Sequence, residues 1–156
     1  MRRFRSVLIF FALVAMTGAT HGQTTPPGPV DVARSYFEAV ADGNLEAAEA
    51  LFASSSSIFE TGGNEGDWAK YRDHHIGAEL DAIEKFETSL GEPETEAATD
   101  GTMAFVAWPI EYHIELKDGR KIDSRGTVTF VLIRENGKFL IRHLHWSSRR
   151  LQGSSH

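Results

Sequence analysis

Three stretches rich in β-branched and aromatic residues, 102–116, 121–134 and 138–147, are separated by Lys117-Asp-Gly-Arg120 and Glu135-Asn-Gly-Lys138. Asp-Gly and Asn-Gly are the dipeptides best able to supply the positive φ angles of a tight hairpin turn. The three stretches are therefore expected to pair as an antiparallel meander. The chain before them has another period. Val32, Tyr36, Phe37 and Val40 recur at helical spacing until Gly43, where a helix would stop. Asn44 can cap a second short helix with Leu45, Ala48, Leu51 and Phe52 on one side. Residues 54–60 read as a strand and 61–66 as a glycine-rich loop, after which Asp67 can cap a third helix from Trp68 to about Phe86. Residues 88–98 can add a strand, which Gly91 and Pro93 confine to an edge or a bulge. Helices first and a long sheet afterwards is an α+β layout, in which three N-terminal helices cover one face of the sheet.

The first residues read differently from the rest. Arg2, Arg3 and Arg5 precede ten apolar residues, Val7 to Met16, and the small residues Thr17, Gly18 and Ala19 follow. That is the layout of a signal peptide over 1–19, and it predicts export to the periplasm or beyond. The apolar run is about half of the roughly 20 residues that a spanning helix needs, so no stable membrane anchor is expected. Residues 20–29, with Pro26, Pro27 and Pro29, read as a flexible segment, 30–148 as one domain and 149–156 as a disordered tail. Sixteen Lys and Arg against 22 Asp and Glu give a net charge of −6, which argues against nucleic-acid binding by phosphate neutralisation. With no cysteine, disulfides, thiol nucleophiles and thiolate metal sites are excluded together.

Several polar residues fall where core residues belong. At 100° per residue the third helix puts Trp68, Tyr71, His75 and Phe86 on one stripe, with Glu79 inside its border. His75 and Glu79 then face the sheet, where each must be paired, with the other or with something else. Along the last strand, Phe139, Ile141, His143, His145 and Ser147 share one face, and Leu140, Arg142, Leu144 and Trp146 the other. The first face is expected inside, as the wall of a tapering cavity; the opposite assignment would leave both histidines on a dimer surface. Glu60, at the end of the first strand, can reach the mouth of such a cavity. A lining of this kind serves proton transfer, or capture of a divalent metal by imidazole and carboxylate. His143 and His145 have no assured third partner, so no metal ligand is assigned and no cofactor is expected.

Two segments carry a resemblance that covers residues 30–147. Ser35-Tyr-Phe-Glu-Ala-Val-Ala-Asp-Gly-Asn-Leu-Glu-Ala-Ala-Glu-Ala-Leu-Phe52 resembles the opening helix pair of the superfamily of nuclear transport factor 2, ketosteroid isomerase and the SnoaL-like proteins. Asn136-Gly-Lys-Phe-Leu-Ile-Arg-His-Leu-His-Trp-Ser147 resembles the closing strand of the SnoaL-like branch and of the calcium/calmodulin-dependent kinase II association domain. The resemblance implies a cone-shaped, curved antiparallel sheet, a cystatin-like α+β roll, and a homodimer formed through the outer sheet face, here Leu140, Leu144 and Trp146. It also places Tyr36 where the isomerase has its oxyanion-hole tyrosine and Glu60 where it has its general base. The isomerase's second oxyanion donor falls on or near Val128, which cannot donate, so steroid isomerisation itself is not implied. The resulting expectation is an unknown small organic ligand held by Trp68, Tyr71, Phe139 and Ile141, with His75, Glu79 and His143 as polar contacts. Glu60 would be the base, with His145 or Tyr36 as acid or electrophile. The alternatives are a non-catalytic assembly module and a His/Glu divalent-metal-binding protein.

Overall fold

The computed structural model describes residues 26–151, so the expected signal peptide, the segment up to Thr25 and the tail beyond Leu151 lie outside the described residues. Helix α1 (Pro29–Ala41) starts with proline at its first position, and the Asp31 carboxylate accepts from the Gly28 N–H at 2.8 Å. It turns Val32, Tyr36, Phe37 and Val40 inward and ends before Gly43, at φ 66°. Helix α2 (Leu45–Glu49) is capped by Asn44, whose side-chain oxygen accepts from the Ala47 N–H at 3.0 Å.

The sheet contains β1 (Phe52–Glu60), β2 (Gly63–Gly66), β3 (Ile83–Leu90), β4 (Glu94–Ala97), β5 (Met103–Leu116), β6 (Lys121–Glu135) and β7 (Lys138–Arg150). Its order is β2-β1-β7-β6-β5-β3, with β4 also paired to β5, and it is curved and unclosed. The meander β5-β6-β7 is antiparallel as the hairpin signals require. Asn136 and Gly137 both take positive φ, whereas at the first hairpin Gly119 alone does, so that turn is built differently from the second. β1 runs parallel to β7, which makes the sheet mixed rather than wholly antiparallel. Strand direction between partners at least 86 positions apart, such as Ser57 and His143, leaves no local trace in a sequence.

The third helix departs from expectation in two ways. It is broken into α3 (Trp68–Tyr71), a π-turn (Arg72–Ile76) and α4 (Gly77–Ala82). It also stops at Ala82, because Ile83 to Phe86 belong to β3, where Phe86 lies opposite Ile114. β5 offers an unpaired edge there, and satisfying its backbone groups outweighs the helical spacing of Ile83 and Phe86. At the other end β7 continues through Arg150, and the Leu151 N–H bonds to the Asp123 carbonyl, so ordered structure passes the boundary expected at Ser148.

The core lies between α1 and the concave face of the sheet. Phe37 meets Trp108 and Phe130 edge to face at 5.6 and 5.5 Å, contacts worth about 0.5–1.5 kcal/mol each beyond the area they bury. In β7 the register slips: Leu132 faces Ile141 while Val131 faces His143, leaving Arg142 as a surplus residue in a bulge. The bulge reverses the faces. Phe139 and Ile141 point inward before it, and Leu144 and Trp146 point inward after it, whereas His143 and His145 face out. The single inner face expected for Phe139, Ile141, His143 and His145 is therefore corrected. So is the dimer face, because Leu144 and Trp146 are buried within the protomer.

Candidate functional site

A cavity of about 500 Å³ lies between the helices and the sheet, lined by α1 and α4 on one side and by β3, β5 and β7 on the other. Its walls are mostly apolar, with Ile83, Phe86, Ile114 and Trp146 among them, and four of its polar groups come from four separate elements. α1 supplies Tyr36, the end of β1 supplies Glu60, α3 supplies Tyr71 and α4 supplies Glu79. A second concavity of about 550 Å³, bordered by Ser89, Arg125, Thr127 and Arg149, contains none of these four groups.

Tyr71 donates a 2.7 Å hydrogen bond to Glu60 Oε2. Burial raises the Glu60 carboxyl above its ordinary pKa; the Tyr71 hydrogen bond opposes this, Glu79 adds to it, His75 opposes it and Glu65 adds to it. Burial also lifts both phenols, with the Glu60 charge adding to each, so Tyr36 and Tyr71 remain hydroxyl donors. The Tyr36 hydroxyl is wholly buried and has no hydrogen-bond partner among the described residues; Tyr71 is near enough to influence its titration without meeting hydrogen-bond geometry. Such an orphan donor inside a cavity costs free energy that a bound acceptor would recover.

His75, on the π-turn, stacks on the Tyr71 ring at 5.2 Å. Its Nε2 faces Glu79 Oε1 at 3.3 Å and Glu60 Oε2 at 3.6 Å, and its Nδ1 faces Glu65 Oε2 at 3.2 Å. Carboxylates from β1, β2 and α4 thus surround one imidazole, and one oxygen each of Glu60 and Glu79 lies with a His75 nitrogen in a group of mutual separation within 4.8 Å. The structure therefore brings Tyr36, Glu60, Tyr71, His75 and Glu79 together.

Other residues singled out in the sequence lie elsewhere. Trp68 is a core residue stacked on Phe52 at 4.6 Å, with its indole N–H buried and unpartnered among the described residues. Phe139 and Ile141 are buried in the core and do not line the cavity. His145 is exposed on the outer face, and His143 there contacts Ser57 Oγ through Nδ1 at 2.9 Å and packs against Phe59. Neither can act in the cavity, because the bulge at Arg142 turns both away. Sequence reasoning passed over Tyr112, Ile114 and Leu116, which line the cavity from β5. Their period-two spacing was visible, but only the pairing with β3 shows that this end of β5 walls the cavity. Glu65 was passed over too, since it looked like an ordinary loop residue.

The SnoaL-like domain family matches residues 30–150. A putative ketosteroid isomerase from Shewanella frigidimarina is 27% identical, with 74% of this chain and 91% of that one covered and a TM-score of 0.66. A nuclear transport factor 2-like protein from Salmonella enterica serovar Typhimurium is 18% identical, with 80% and 90% covered and a TM-score of 0.68. A hexachlorocyclohexane dehydrochlorinase, LinA type 2, shares the fold at 11% identity, with 81% and 88% covered and a TM-score of 0.69. Among curated proteins no match is found. With the family matched over most of its length and the same helix-covered curved sheet in these structures, the chain belongs to the SnoaL-like domain family of the nuclear transport factor 2-like superfamily.

Proposed function

We propose that the cavity binds a small, mainly apolar organic molecule and removes a proton from a carbon next to its carbonyl group. Glu60 accepts the proton as the C–H bond breaks, the electron pair moves toward the carbonyl oxygen, and the Tyr36 hydroxyl donates to that oxygen as charge develops. Tyr71 holds the Glu60 carboxylate in place. One observation carries the reading: Glu60, hydrogen-bonded to Tyr71, shares an apolar-walled cavity with a buried Tyr36 hydroxyl that has no partner. Family members often bind small molecules and are sometimes isomerases or lyases, which supports chemistry of this class. His145, exposed on the outer face, has no part in it, and Val128 is a fully buried aliphatic residue that offers no second donor.

The test is deuterium exchange into cyclohex-2-enone in D₂O, followed by proton NMR. Wild-type protein should accelerate the exchange; Glu60→Gln should remove about 10²–10⁴-fold of that acceleration and Tyr36→Phe about 10²–10³-fold. Exchange no faster than in buffer, with the enone shown to bind, would leave a binding domain without turnover. The proposal includes export, on the strength of the 1–19 leader, which an intact mass of the mature protein from the native host would check. It also includes a homodimer through the outer sheet face, where Met103, Phe105, Val131, Ile133 and Leu140 leave apolar surface partly uncovered.

A further inference from the structure

We infer that Glu60, His75 and Glu79 form a binding site for a divalent transition-metal cation of the zinc class. His75 Nε2 lies 3.3 Å from Glu79 Oε1 and 3.6 Å from Glu60 Oε2, longer than the roughly 2.7–2.9 Å of a charge-assisted hydrogen bond. None of the three carboxylate contacts of His75 meets hydrogen-bond geometry. Those separations suit another partner: a tetrahedral cation with N and O ligands at about 2.0–2.2 Å holds neighbouring ligand atoms about 3.3–3.6 Å apart. Charge points the same way, since even a protonated imidazole offsets only one of the three carboxylates around it. One imidazole with two carboxylates favours zinc-class ions over magnesium and calcium, which prefer oxygen alone. Glu65, at 3.2 Å from Nδ1, occupies the outer position from which a carboxylate fixes the tautomer that leaves Nε2 free to bind. An independent observation lies in the same cavity, where the fully buried Tyr36 hydroxyl lacks an acceptor. A water or ligand oxygen in the remaining position of the cation would supply one.

The inference shares Glu60 with the proton-transfer reading and gives that site a regulator. A cation held by one Glu60 oxygen neutralises the carboxylate's charge and lowers its basicity at both oxygens, so cation binding and proton removal by Glu60 exclude each other. The experiment is calorimetric titration of the untagged, EDTA-stripped full chain with zinc chloride, paired with enone exchange in the zinc-free and zinc-loaded protein. One zinc per chain is expected. Glu65→Gln should weaken binding by about 10–100-fold, with Glu79→Gln and His75→Ala weakening it further. Circular dichroism would check that each variant keeps its fold, which is the expected result for Glu79 because its side chain is half exposed. Absence of zinc binding, or unchanged binding in both Glu79→Gln and His75→Ala, would overturn the site. Faster exchange in the zinc-loaded protein would overturn the exclusion. Exchange by zinc-free protein that fails to bind zinc would leave proton transfer standing alone; zinc binding without exchange in the zinc-free protein would leave the metal site standing alone.

Discussion

His113 and His143 lie outside the cavity and respond to pH with opposite signs. A hydrogen bond to Asp123 at 2.6 Å, and a second to Glu115, hold the His113 pKa above its ordinary value. The stability this adds is fully present below about pH 6.5 and is lost as pH rises through the folded-state value. His143 is lowered, first by burial and then by the charges of His145 and Arg142. The fold therefore favours neutral His143, and acidification from about pH 6.5 down through the folded-state value costs stability. Thermal melts at pH 5.5 and pH 8 separate the two. His113→Asn should lower the melting temperature more at pH 5.5 than at pH 8, and His143→Asn should reduce the loss on acidification. The reverse pattern would show that the two environments are misassigned.

The π-turn is the element that places His75. Its closing bond runs from the Gly77 N–H to the Arg72 carbonyl, and a Cβ on Gly77 would lie 2.6 Å from that same oxygen. That oxygen belongs to the backbone, so only a shift of the turn itself could relieve the contact. Gly77→Ala should therefore cost about 1–3 kcal/mol, the usual range for overpacking, read as a lower urea midpoint with an unchanged m-value. Periodicity alone showed that Tyr71, His75 and Glu79 share a side, because a single wide turn does not move that stripe off the cavity. It could not show where the helix yields to β3. The spacing of Ile83 and Phe86 suits a helix, and what decides the matter is the edge of β5, some 30 residues later. The two hairpins were legible for the opposite reason, since each turn is encoded by the residues that form it. The parallel β1–β7 pair has no such local code.

At the scale of the whole molecule, one curved sheet has to serve two surfaces. Its concave side carries the core and the cavity, and its outer side presents Met103 at 49% and Phe59 at 37% exposure, with Phe105, Val131 and Leu140 between them in cover. Multi-angle light scattering should give twice the chain mass for wild type, and Val131→Glu should bring it to the chain mass. A monomeric wild type would remove the dimer. This outer surface was legible in outline, because apolar residues on both faces of the last strand already called for two partners. Which residue served which face was not legible, because Arg142 interrupts the count. The surplus residue gives the strand two parities: odd numbers point inward as far as Ile141 and even numbers from Leu144 onward. Deleting Arg142 would restore a single parity with Leu144 and Trp146 still inward, because each would then follow Ile141 in regular alternation. Straightening the strand with Arg142 kept would do the reverse and carry His143 and His145 inside, so a local kink, and not the make-up of the strand, keeps this wall hydrocarbon.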